Sequence, residues 1–222
     1  MPEKESVSNK NQHQIIFSKG QLAVVLSKIK GFAEAKVSLE QYQTDSEVAA
    51  SVLWNAFLLG DLQGKNIIDL GSGTGILGLG TMLLAANSIV FVETDEKASE
   101  ICKNNFNTLK SEFSVKIQPL FQNCDISKAT GVFDVVVMNP PFGTKQEHAD
   151  RIFLQKAIEV APVVYSFHKA STLSFVQAFV LDNGFKITHQ WLFSFPLKQT
   201  MKHHQRRIQR IKVVCVRLEK IT

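Results

Sequence analysis

The chain has 222 residues, 45% of them hydrophobic and 20% charged, with a formal net charge of +5. That length suits one domain with its own core, and the composition excludes a wholly disordered chain. No apolar run reaches the about 20 residues of a membrane span, and Met1 to Lys10 lacks the apolar region of a secretory signal. Cys102, Cys124 and Cys215 are odd in number, far apart and without a CxxC pair, which argues against a zinc site or disulfide framework and for reduced intracellular thiols.

Residues 1–14 are rich in Lys, Asn, Gln, Ser and Glu and are expected to form a flexible tail, with 15–222 forming a single domain. Helical spacing of Leu22, Val25, Leu26 and Ile29 predicts a helix over 21–29. Asp45-Ser46-Glu47 opens the next one, with Asp45 or Ser46 as its cap. From there strands and helices alternate. Strands are expected at 66–70, 88–93, 115–121, 133–138 and 163–168, and helices at 76–86, 96–109, 150–160 and 171–182. Two β-rich runs, 185–195 and 208–218, close the chain as an antiparallel hairpin. This order predicts an α/β fold: a mostly parallel sheet covered by helices on both faces, with the hairpin at one edge.

Asp69-Leu70-Gly71-Ser72-Gly73-Thr74-Gly75 follows a strand and precedes a helix. Glycines there let the backbone turn tightly and approach a ligand, and the helix start favours an anion. About 20 residues beyond Gly73, Glu93 ends the next strand, where an acid can accept from ribose hydroxyls. Taken alone, this segment fits both S-adenosylmethionine and NAD, because Gly73-x-Gly75-x-x-Gly78 also matches a dinucleotide fingerprint. Asp125, after the third strand, is a candidate acceptor for the adenine amino group.

Asn139-Pro140-Pro141-Phe142, after the apolar run 133–138, shifts the balance to the sulfonium cofactor. An adenine exocyclic nitrogen has its lone pair delocalised into the ring, and two acceptors on its hydrogens favour the tetrahedral shape needed for attack. The Asn139 side-chain oxygen and the Pro140 carbonyl can supply them, with the prolines fixing the backbone in advance. Phe142 can stack on a base and exclude water. The candidate catalytic residues are therefore Asn139, Pro140, Pro141 and Phe142.

These segments fall in order with Leu39-Glu40-Gln41-Tyr42-Gln43-Thr44, Asn123-Cys124-Asp125, Met138-Asn139-Pro140-Pro141-Phe142-Gly143-Thr144-Lys145 and Tyr165-Ser166-Phe167-His168-Lys169. In this the chain resembles the methyltransferase-like protein five family, N6-adenosine methyltransferases of small-subunit 18S-type ribosomal RNA. The resemblance implies a class I S-adenosylmethionine-dependent methyltransferase fold, Rossmann-like, with a seven-stranded sheet. It implies a cofactor site of Gln41, Tyr42, Thr44, Asp69, Gly71, Gly73, Gly75, Glu93, Asp125 and Asn139, with Gln41, Tyr42 and Thr44 closing over it. Glu93 stands where the family commonly has aspartate, and Gln43 where it usually has proline, which implies a looser lid. The resemblance also implies a small zinc-binding activator subunit as heterodimer partner, for which Ile117, Leu120 and Phe121 are the candidate contacts, and a place of action in the nucleus (nucleolus), the cytoplasm or both. No metal is expected in this chain.

Positive charge crowds the last quarter of the chain, at Lys198, Lys202, Arg206, Arg207, Arg210 and Lys212 with His203 and His204 among them. A loop of this kind contacts phosphates rather than reading sequence. Lys198, Lys202, His203, Arg206 and Arg207, joined by His168 and Lys169, form the candidate RNA surface. The competing readings are a protein glutamine N5-methyltransferase, an NAD-dependent oxidoreductase, and a non-catalytic subunit that binds RNA or a partner on the same fold.

Overall fold

The computed structural model describes residues 16–36, 40–113, 115–142, 149–197 and 209–221. The expected tail lies outside them, as do Lys198, Lys202, His203, Arg206 and Arg207. Helix α1 (Lys19–Leu26) starts where the Ser18 hydroxyl accepts from the Gln21 amide, and α2 (Ser46–Leu58) where the Asp45 carboxylate accepts from Glu47 and Val48. Of the two caps its sequence offers, α2 uses Asp45. Then follow β1 (Asn66–Leu70), α3 (Ile76–Leu83), β2 (Ser88–Glu93), α4 (Glu96–Phe113), β3 (Leu120–Asn123), β4 (Val135–Met138), α5 (Ala149–Val160), β5 (Val163–Lys169), α6 (Leu173–Asp182), β6 (Phe185–Leu197) and β7 (Gln209–Lys220).

The seven strands form one sheet in the order β3-β2-β1-β4-β5-β7-β6. Strands β1 to β5 are parallel to one another, and β7 runs antiparallel to both β5 and β6. The order reverses between β1 and β4, so their carboxyl ends diverge into a crevice, the usual ligand position of an open α/β sheet. One face is packed by α1 to α4 through Leu22, Leu53, Leu79 and Phe106, the other by α5 and α6 through Leu154, Val176 and Val180. Burying each such leucine contributes about 1.5–3 kcal/mol, which fixes the strand ends that carry the site.

Several expectations need correction. The third strand does not span 115–121: it starts at Leu120, and Val115 and Ile117 pack on the core outside any ladder. Pro119 is the reason, since it has no N–H to donate and stands where the ladder would continue. The sixth helix starts at Leu173, after a short 3-10 turn over Ala170–Thr172. His168 is not on a surface. It is 1% exposed, because β5 lies between β4 and β7, and its Nε2 is 2.7 Å from the Ser166 hydroxyl. Burial pushes the imidazole down to about 3, so it is neutral and cannot attract phosphate. Lys169, at the strand end, is half-buried.

Between α2 and β1, Asp61 ties the hairpin to the rest of the sheet. Its carboxylate accepts from the Tyr165 hydroxyl at 2.5 Å and from Arg217 Nε and Nη2 at 2.7 and 3.1 Å. Arg217 Nη1 also donates to Thr188 at 2.8 Å and Glu219 at 2.6 Å.

Candidate active site

The crevice above β1 and β4 is a cavity of about 310 Å³, within the size of small-molecule sites. Of the expected cofactor residues, Gln41, Tyr42, Thr44, Asp69, Gly71, Gly73, Glu93, Asp125 and Asn139 line it. Gly75 does not. It caps α3 in a left-handed conformation (φ 92°), and an added Cβ would lie 2.4 Å from Cys102 Sγ, so it serves helix packing. Gly73 is also left-handed (φ 53°), and a Cβ there would meet the Phe32 ring at 2.8 Å, on the cavity wall.

The acids are held from below. Asp69 Oδ2 accepts from the Gly78 amide at 2.8 Å, filling one of the donors at the start of α3. Burial raises its carboxyl to about 7, with the Gly78 amide opposing and the neighbouring Glu93 adding to the rise. Glu93 accepts from the Gly73 amide at 2.7 Å through one oxygen and from the Asp95 amide at 2.8 Å through the other. Burial raises its pKa too, against those two amides. Each oxygen keeps a second lone pair for a ligand hydroxyl. Asp125 is exposed at the rim and spends one oxygen capping the short turn Ile126–Lys128. The Ser127 hydroxyl and amide hold its carboxyl below the ordinary value.

Residues 40–44 form a strap across the cavity. Gln41 donates to Asp95 at 2.8 Å, and the Lys36 ammonium lies 3.0 Å from the same carboxylate. Burial raises the Asp95 carboxyl, but the Gln41 and Lys36 hydrogen bonds outweigh it and hold it low. The exposed Gln43 makes one long contact, 3.5 Å to the Ile29 carbonyl. Thr44 Oγ1 accepts from Asn139 Nδ2 at 2.9 Å. That leaves Asn139 Oδ1 buried and without a partner; Ser72 Oγ, also on the cavity wall, is the other buried side-chain atom in this condition among the described residues. A buried unsatisfied acceptor costs about 1–3 kcal/mol, so both atoms mark a site completed by a ligand. A nucleoside carrying hydroxyls, amines and a positive centre matches these acceptors and carboxylates.

Pro141 lines the cavity, whereas Pro140 and Phe142 do not. The Pro140 carbonyl accepts from the Tyr42 hydroxyl at a long 3.5 Å, which leaves a lone pair over. Phe142 is 8% exposed and packs on Tyr42, ring centroids 5.0 Å apart, so it is the backing of the loop rather than an open plate. Phe32, Glu40, Ser72 and Phe153 also wall the cavity and were not among the expected site residues. For Glu40 the sole signal was its place in the strap sequence; Phe153 comes from α5, and no local pattern announces it.

The family model of the methyltransferase small domain matches residues 43–166. The rRNA N(6)-adenosine-methyltransferase METTL5 of Danio rerio is 35% identical, over 89% of this chain and 96% of its own length. An uncharacterized protein of Methanocaldococcus jannaschii is 33% identical over 93% of this chain and 96% of that one. A crystal structure of a candidate RNA methyltransferase from Pyrococcus horikoshii superposes with a TM-score of 0.81 at 38% identity, covering 92% of this chain and 98% of that chain.

Proposed function

Since this chain belongs to the methyltransferase small domain family, and within it to the methyltransferase-like protein five family, we propose that it makes N6-methyladenosine in small-subunit ribosomal RNA. It is an S-adenosylmethionine-dependent methyltransferase. The observation that carries the reading is the orphaned Asn139 Oδ1, fixed by Thr44 in the wall of a cavity that also presents Asp69, Glu93 and Gly73.

Asp69, Glu93, Asp125, Ser72 and, from the strap, Gln41, Tyr42 and Thr44 would hold the cofactor, which supplies a methyl group already activated as a sulfonium. The protein's own task is to hold and reshape the nucleophile. Asn139 Oδ1 and the free lone pair of the Pro140 carbonyl accept the two amino hydrogens of an adenine, favouring a tetrahedral nitrogen whose lone pair points at the methyl. Thr44 holds the Asn139 amide and the prolines restrict the backbone through φ in advance, so orientation costs less at the moment of reaction. Phe142, backed by Tyr42, walls the acceptors from water. The strap and Phe32 shield the opposite side. No strong base is needed, because the proton leaves after the bond forms. A base stacked in a duplex could not reach this crevice, so the target is unpaired or flipped out.

Binding of the RNA rests on Lys169 and, from the sequence, on Lys198, Lys202, His203, Arg206 and Arg207. Reversing Arg206 and Arg207 lowers RNA affinity and flattens its salt dependence, by roughly 1–2 in the slope of log K against log salt, while cofactor affinity stays. An unchanged slope in a salt titration contradicts this. For a zinc-binding activator subunit the support is narrower than the three candidate contacts. Strand β3 is a free sheet edge and Leu120 is 53% exposed, but Ile117 and Phe121 pack into the core and Phe121 stacks on Phe91. The proposed contact is therefore the β3 edge with Leu120. Action in the nucleolus or cytoplasm follows from the substrate and stands as part of the proposal.

The test supplies radiolabelled S-adenosylmethionine with ribosomal RNA or with protein release factor, followed by digestion. Label in N6-methyladenosine is the expected result; label on glutamine, or none on RNA, overturns the reading.

A further inference from the structure

The segment that walls the cofactor cavity touches three of the four residues of the catalytic loop. Thr44 takes the Asn139 amide group at 2.9 Å. The Tyr42 hydroxyl reaches the Pro140 carbonyl at 3.5 Å and its ring packs on Phe142. Glu40 Oε2 accepts from the Phe142 backbone N–H at 2.9 Å, across 102 residues of sequence. Glu40 also has a positive φ of 49°, one of two such non-glycine residues among those described, the other being Ala85, which does not line the cavity. A left-handed conformation in a side-chain-bearing residue costs about 1–2 kcal/mol, and strain of this kind persists where the surroundings fix it.

We propose that Glu40 is a positioning residue for methyl transfer: its carboxylate locks the Pro141–Phe142 peptide, and through it the Pro140 carbonyl, in the orientation that receives the substrate amino group. This deepens the reading of Asn139-Pro140-Pro141-Phe142 as the acceptor loop and rests on it. Prolines stiffen the backbone at Pro140 and Pro141 through φ, but ψ at each stays adjustable. The next donor along the chain is the Phe142 N–H, and a charge-assisted hydrogen bond to it removes that freedom. Burial and, second, the Glu40 charge raise the pKa of the Tyr42 phenol, so Tyr42 stays a donor to the same loop. The strap thus wires the cofactor wall to the base acceptors.

The roles of carboxylate and backbone separate in two variants. Glu40→Gln keeps an oxygen that can accept from Phe142. Glu40→Gly keeps the left-handed backbone at no strain but removes the acceptor. Single-turnover methylation of ribosomal RNA at saturating S-adenosylmethionine is measured for each, with cofactor Kd by calorimetry and Tm by calorimetric scan. The expected result is a rate at least about 10-fold lower for Glu40→Gly, a rate within about threefold of wild type for Glu40→Gln, and a cofactor Kd within about threefold for both. Wild-type rate in Glu40→Gly overturns the proposal, as does a rate loss in Glu40→Gln equal to that in Glu40→Gly, or a cofactor affinity that falls in step with the rate. Asn139→Ala is run in parallel: if it is fully active, the acceptor-loop reading itself has failed, whereas an inactive Asn139→Ala beside an active Glu40→Gly sinks only the role of Glu40.

Discussion

Asp61, Tyr165 and Arg217 form one buried polar cluster of this sheet, and Asn139, Thr44, Ser72 and Asp69 form another. In the first, both carboxylate oxygens, the phenol and the guanidinium have partners within the chain, at 2.5–3.1 Å. In the second, Asn139 Oδ1 and Ser72 Oγ have none, and Asp69 is a carboxyl raised to about 7 by burial. The first cluster has its partners within the chain and joins the segment between α2 and β1 to the terminal hairpin. The second keeps acceptors that no group among the described residues satisfies and that face a cavity, which is how a binding site differs physically from a fastening made of the same residue types.

The contrast can be broken most strongly at Asp61. Asp61→Ala leaves the Arg217 charge and the Tyr165 hydroxyl buried without their main partner, and stability should fall by about 3 kcal/mol, read by urea denaturation. The cofactor Kd of the remaining folded protein should not move. A loss below about 1 kcal/mol would mean that Glu219 and Thr188 suffice to hold Arg217.

Asp69 sharpens the other side through pH. Its folded-state pKa lies above the unfolded one, so it favours the native state fully below about pH 4 and loses that contribution as pH rises towards about 7. Wild type should therefore lose stability relative to Asp69→Asn between pH 4.5 and 7.5, by less than about 1.4 kcal/mol per pH unit. Parallel stability curves for the two proteins would show that Asp69 is ionised throughout.

Ser72→Ala gives the smallest effect and the cleanest contrast with Asp61→Ala. It removes an oxygen that has no partner in the folded chain, so stability should stay or rise by up to about 1 kcal/mol. Cofactor affinity should drop by about 3–10-fold, the worth of one hydrogen bond. Calorimetric titration reads both; unchanged affinity would leave Ser72 as packing.

Much of this arrangement is legible in the sequence because it is local. β1 and β2 have the expected bounds, since buried parallel strands are short apolar runs between turn residues. The glycine segment and Asn139-Pro140-Pro141-Phe142 announce themselves by spacing at strand ends. Pro119 is a readable stop for β3, although the expected strand runs through it from 115 to 121. Other features depend on which strands become neighbours. His168 is buried because β7 inserts beside β5, and a basic-looking His-Lys pair at a strand end carries no sign of that. The contacts of Glu40 with Phe142 and of Thr44 with Asn139 span 102 and 95 residues, so nothing in either segment alone predicts its partner. Gly75 matched a ligand pattern while serving Cys102, because a left-handed helix cap and a ligand cradle ask for the same residue.

The central claim is that Asn139 Oδ1 and the Pro140 carbonyl converge on the amino group to be methylated. Single-turnover transfer from saturating S-adenosylmethionine to ribosomal RNA by Asn139→Ala, with cofactor Kd measured on the same protein, addresses it most directly. The predicted result is a rate lower by roughly 10²–10³-fold with cofactor affinity changed by less than about tenfold. Methylation of adenosine N6 by Asn139→Ala at the wild-type rate would contradict it.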